Sequence, residues 1–110
     1  MWLVQAGKSI STLDLFGTGF VLLAAPAGRA WCVAATAAAQ RFPGLPLLAH
    51  LIANPEFEDP AGEFGQVYGV TPAGAVLVRP DGFVAWRSKD MIEAPQRRLE
   101  QVLDMVLTRS

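Results

Sequence analysis

A chain of 110 residues, 52% apolar, with nine basic and ten acidic side chains, has a net charge of −1. That length suits one domain with a single core, and a mean hydropathy of +0.31 requires nearly every element to be at least half buried, or leaves one face sticky. No basic patch, RNA-type aromatic cluster or charged tail is present, which argues against a nucleic-acid partner.

The single cysteine excludes an internal disulfide, a disulfide framework and a zinc-finger site. It fits a reducing compartment, and the expected location is cytoplasmic. A long uncharged apolar stretch runs from Phe42 to Ile52. It contains Pro43, Gly44, Pro46 and His50, so it is no membrane helix. The N-terminus lacks the basic region and apolar run of a signal peptide.

In chain order, Trp2-Leu3-Val4 reads as a short edge strand and Ala6-Gly7-Lys8 as a turn. Ser11 to Phe16 alternates imperfectly and gives no clear element. Gly19–Ala25 is apolar without alternation, as in a strand buried on both faces. Arg29–Phe42 is alanine-rich with no internal proline or glycine, which predicts a helix ended by Pro43-Gly44. Leu45–Ile52 reads as a second buried strand. Asn54–Glu63 is a polar loop, and Glu63–Tyr68 a short helix closed by Gly69 and stopped by Pro72.

Two β-rich runs follow, Ala75–Val78 and Phe83–Trp86, around Arg79-Pro80-Asp81-Gly82. Proline presets φ, aspartate can bond its own backbone and glycine accepts positive φ, so the runs form an antiparallel hairpin. In the last helix Leu99, Val102, Leu103, Val106 and Leu107 share one face, and Pro95 falls in the first turn. The order is β-α-β-α-β-β-α, an α/β fold. The first two strands should run parallel through a right-handed crossover. This is the thioredoxin plan, a mixed sheet with helices on both faces.

A thioredoxin-fold enzyme carries Cys-x-x-Cys at the start of the helix after the first central strand, where the helix N-terminus stabilises a thiolate. Here the place reads Trp31-Cys32-Val33-Ala34-Ala35. With alanine at the resolving position, dithiol cycling within the chain is impossible. A register set on Tyr68-Gly69-Val70 puts Gly74 where thioredoxins have a cis-proline, and Pro72 two residues early. Cys32 reads as a small, largely buried helix residue. Arg29 is the one nearby group that would favour its thiolate.

The remaining candidates have plain structural readings. His50 lies in a strand pattern without an adjacent ligand or base. Asp81-Gly82 is a turn. Glu56, Glu58, Asp59 and Glu63 read as a solvated acidic loop rather than a metal site. Gly17-Thr18-Gly19 precedes a strand, the wrong place for a phosphate loop. Trp2, Trp31 and Trp86 read as core or interface anchors. No catalytic, cofactor-binding or metal-binding residue is assigned.

Several stretches together resemble the C-terminal domain of FAD-dependent aromatic-ring hydroxylases, the phenol-hydroxylase-like and polyketide-tailoring monooxygenases. They are Trp2-Leu3, Ser11 to Phe16, Gly19 to Leu23, Trp31, Tyr68-Gly69-Val70 and above all Gly74 to Arg87. Phe83 departs from the family, which often has a polar residue or histidine there. The resemblance implies a thioredoxin fold without the redox cysteines. It also implies a parent enzyme that uses FAD and NAD(P)H to hydroxylate aromatics. The family's flavin motifs belong to another domain, so no cofactor is expected on this chain. The expected role is structural, packing on flavin and substrate domains or supporting a homodimer, with no membrane partner. Two alternatives stand beside it: a free-standing thiol protein using Cys32, and a stand-alone binding or dimerisation module.

Overall fold

The computed structural model describes residues 2–5, 7–11, 15, 19–52, 57, 59 and 62–108, with the side chains of Trp2, Leu107 and Thr108 excepted. A two-stranded antiparallel sheet is formed by β1 (Trp2–Gln5) and β2 (Lys8–Ser11). Gly7 turns between them with φ 79°. The chain continues through β3 (Phe20–Ala24), α1 (Arg29–Ala39), β4 (Leu47–Leu51), α2 (Phe64–Tyr68), β5 (Ala75–Val78), β6 (Val84–Ser88) and α3 (Pro95–Thr108). The main sheet has the order β4-β3-β5-β6. Strand β3 runs parallel to β4 and antiparallel to β5, which is antiparallel to β6.

This reproduces the β-α-β-α-β-β-α mixed sheet expected above, with several differences. The N-terminal strand is not an edge of the main sheet but pairs with β2. Strand β4 is not fully buried either: it stands at the sheet edge, with Leu48 exposed and Leu51 buried. Helix α1 gives way after Ala39 to a tightened turn. There Gln40, Arg41 and Phe42 donate to carbonyls three residues back, at 3.0–3.3 Å, a common way for a helix end to satisfy its last carbonyls.

Each face of the sheet is covered. One face packs Leu22, Ala24, Ala75 and Leu77 under α1 and α3, through Trp31, Ala34, Ala38, Leu99, Val102 and Leu103. The buried triplet Leu99, Val102 and Leu103 is the helix face read from the spacing. The other face packs Val21, Leu23, Val76 and Val78 beneath Leu3, Phe57, Phe64 and Val70. Strand β3 is thus buried on both sides, as its unbroken apolar run requires.

The β5–β6 connection follows its sequence signal. Gly82 N donates to Arg79 O at 2.9 Å and Arg79 N to Phe83 O at 2.8 Å. Gly82 takes φ 89°. This is a three-residue loop whose last member must be left-handed. The register then slips between Leu77 and Val78, leaving Ala85 as the extra residue opposite them.

Helix α2 is only five residues long and has no side-chain cap of its own. Asp59 supplies the cap from the preceding loop, its Oδ1 accepting from Glu63 N at 3.1 Å and Oδ2 from Phe64 N at 2.8 Å. Asp59→Ala should therefore cost about 1 kcal/mol, read as a lower urea midpoint at unchanged slope. Among the described residues Ala94 is the one non-glycine with positive φ, 51°, immediately before α3. A side chain there costs roughly 1–2 kcal/mol, and a glycine there would release that strain. Greater freedom in the unfolded chain offsets about half. Ala94→Gly should thus stabilise by about 0.5–1 kcal/mol, measured the same way.

Candidate functional site

The N-terminus of α1 is where redox chemistry would be sought, and the loop before β5 closes over it. Three successive carbonyls of that loop face the β3–α1 turn. Pro72 O accepts from Ala27 N at 2.7 Å and Gly74 O from Ala25 N at 2.9 Å. Ala73 O accepts from the Trp31 indole Nε1 at 3.1 Å. Gly74, set by register against the cis-proline of thioredoxins, thus lies directly on this turn, and Pro72 beside it.

The loop is held from its other side by Thr71. Its backbone N–H donates to Lys89 O at 2.8 Å. Its hydroxyl lies 2.6 Å from Lys89 O and 2.7 Å from Asp90 Oδ1, with one proton to give to the two. The hydroxyl also accepts from Ala73 N at 3.3 Å. Trp31 is fully buried and meets Trp86 edge-on, with ring centroids 5.3 Å apart. The space over the helix start is therefore filled by an indole and a hydrogen-bonded loop.

Cys32 follows Trp31 on α1, half-buried and packed against the α1–α3 core. Its backbone carbonyl accepts from Thr36 Oγ1 at 3.1 Å. Ala35, at the resolving position, is buried. Arg29 is exposed at the first residue of the helix. His50 is half-buried on β4, its ring edge-on to Phe57 at 5.0 Å. Asp81 works within its turn, accepting from Phe83 N at 3.1 Å and pairing with Arg79 at 2.7 Å.

The sequence candidates are thus spread over the fold rather than brought together. Of the acidic loop, Glu56 and Glu58 lie outside the described residues and Asp59 is the α2 cap. Among the described residues no three His, Cys, Asp or Glu side chains gather as a metal site. None of the buried side-chain polar atoms there lacks a hydrogen bond. No helix among them is long and apolar enough to cross a membrane.

Surface concavities remain among the described residues. A groove between α1 and α3 is lined by Ala30, Val33, Arg41, Pro95, Arg97 and Glu100. A smaller cleft lies between α2 and β6, lined by Val67, Tyr68, Val84, Ala85, Trp86 and Arg87. Neither collects buried polar groups of the kind that fix a substrate. Sequence reasoning missed the Trp31–Ala73 contact and the Asp59 cap. Both join residues whose pairing depends on tertiary approach, and no short motif marks either.

The family model for the C-terminal domain of aromatic-ring hydroxylases matches residues 1–110. The chain belongs to this family. The domain is 47% identical over 100 residues to 4-methyl-5-nitrocatechol 5-monooxygenase of Burkholderia sp, covering 90% of this chain and 18% of that protein. It is 40% identical over 111 residues to tetracenomycin A2 monooxygenase-dioxygenase of Streptomyces glaucescens, covering 100% of this chain and 20% of that one. Among solved structures it superimposes on aklavinone-11 hydroxylase, crystallised with FAD and aklavinone. That match has a TM-score of 0.91 and 39% identity, over 98% of this chain and 20% of that one. This hydroxylase C-terminal domain thus spans about a fifth of the length of the relatives it matches.

Proposed function

We propose that this chain is the catalytically silent, thioredoxin-like C-terminal module of an FAD-dependent aromatic-ring hydroxylase, and that its role is to pack against the flavin and substrate domains. One observation carries the reading. The family match covers the whole chain but a fifth of its relatives, and the helix start where a thioredoxin enzyme works is occupied by Trp31 and the Thr71–Gly74 loop. The strand order β4-β3-β5-β6, with one parallel and two antiparallel pairings, supports the thioredoxin-like assignment. On this reading FAD and NAD(P)H belong to the other domains of a cytoplasmic enzyme.

The test is flavin. Titrating the purified chain with FAD should give no saturable binding, and adding NADPH should give no oxidation. Stoichiometric FAD on the chain, or NADPH turnover by it, would sink the proposal. Reaction of Cys32 with a thiolate-selective reagent near neutral pH, as fast as that of an activated thiol, would favour a thiol protein instead.

A further inference from the structure

We propose that the cleft between α2 and the β6 edge is the surface on which the preceding domains of the polypeptide seat, an inference that rests on the hydroxylase reading above. Scattered exposed apolar side chains need no explanation, whereas a gathered set does. Leu48 on β4, Val33 on α1 and Met105 on α3 are exposed on separate elements. Val33 faces the groove by Pro95, and Met105 stands ten positions farther along α3, about 15 Å away.

Val67 and Val84, by contrast, line one cleft, and Phe83 adjoins Val84 in the chain. They are 53%, 49% and 70% exposed. Strand β6 is the last in the sheet order. Edge strands are ordinarily covered or blunted by charge; this one carries Arg87 near its end but opens on the exposed Val84.

The preceding domains are favoured as the occupant over a second copy because of where the chain enters the fold. The relatives are about five times longer, and the family's position is C-terminal, so their other domains come before β1. Leu3 of β1 is fully buried in the same cluster as Phe64 and Val70, on the α2 side of the sheet. Helices α1 and α3 cover the opposite side. The chain therefore delivers the preceding domains to the face that carries Val67 and Val84. The matching surface is apolar, with an acceptor for the exposed Arg87 guanidinium, whose Nη1 is held by Tyr68 O at 3.1 Å.

The experiment places Val84→Asp, Val67→Asp and Met105→Asp in the native polypeptide, whose size is first read by blotting. Limited proteolysis then measures how fast the C-terminal fragment is released. The expected result is a polypeptide about five times longer than 110 residues. Release should be about tenfold faster or more for the two valine variants, the loss of one interface anchor. It should be unchanged for Met105→Asp. Unfolding midpoints of the same variants in the 110-residue chain separate undocking from unfolding. A valine variant whose midpoint falls is set aside, and the other decides.

Equal release by all three variants overturns the docking surface and leaves the hydroxylase reading standing. A native polypeptide of 110 residues overturns both. An isolated chain that dimerises, and that Val84→Asp makes monomeric, overturns the choice of occupant in favour of a second copy.

Discussion

Gly74→Ala should destabilise the domain by about 2–4 kcal/mol. A Cβ at position 74 would fall 2.6 Å from Ser88 O and 2.6 Å from the Val70 Cβ, and closer still to Lys89 O. These are two backbone carbonyls and a side-chain root, so no flexible tip can swing away. Relief requires one of two movements. The end of β6 can shift, straining the 2.8 Å bond from Thr71 N to Lys89 O, or the loop can lift and lose the 2.9 Å bond from Ala25 N to Gly74 O. Overpacking of this kind costs roughly 1–3 kcal/mol, and a lost buried hydrogen bond adds about 1. Against a typical domain stability of roughly 5–15 kcal/mol, that is a large share. Urea unfolding followed by circular dichroism measures it, and a loss under about 1 kcal/mol would show that the loop yields freely.

The second large effect belongs to Trp31→Ala, with an expected loss of about 3–5 kcal/mol. The indole is fully buried, and truncating a buried aromatic costs that much in transfer and cavity energy. It also leaves Ala73 O without its 3.1 Å donor and Trp86 without its edge-on neighbour. Trp31→Phe narrows the comparison, because it keeps a ring in the core while removing the N–H together with part of the indole's volume. Its expected cost is about 2–3 kcal/mol, from the lost hydrogen bond and a small cavity. Comparable losses for both variants would mean that the N–H and the volume that Phe lacks, rather than the ring it keeps, hold the loop on the helix.

Where local chemistry and packing agree, the fold was legible. Arg79-Pro80-Asp81-Gly82 named both the hairpin and its left-handed residue. Gly69 closed α2 with φ 71°, and the spacing of Leu99, Val102 and Leu103 gave the buried face of α3. The unbroken run at β3 marked a central strand. The similar run at β4 did not mean the same thing, because an edge strand beside an alanine-rich helix also accepts leucines without being closed in. Strand β2 was missed because only Ile10 of Lys8-Ser9-Ile10-Ser11 is apolar and, among the described residues, the strand pairs with β1 alone. Phe83, counted with the second hairpin strand, closes the turn instead.

The site was legible chiefly in what the start of α1 lacks, a second cysteine: alanine at position 35 is plain in the sequence. That Trp31 binds the carbonyl of residue 73, 42 positions away, could not be read from either segment alone. The surplus of apolar residues pointed to a sticky face, but only the sheet order and the seat of α2 locate one.

The tryptophan pair has an optical consequence. Trp31 sits on α1 and Trp86 on β6, 5.3 Å apart at 66°, close enough for their electronic transitions to couple. Such coupling produces a paired circular-dichroism signal whose size and sign depend on how the two rings are turned. Trp86 also lines the α2–β6 cleft, so the domain carries an unlabelled spectroscopic gauge between its helical layer and that edge. A change in that signal on assembly, with the backbone amide bands constant, would register movement of the edge strand without any added chromophore.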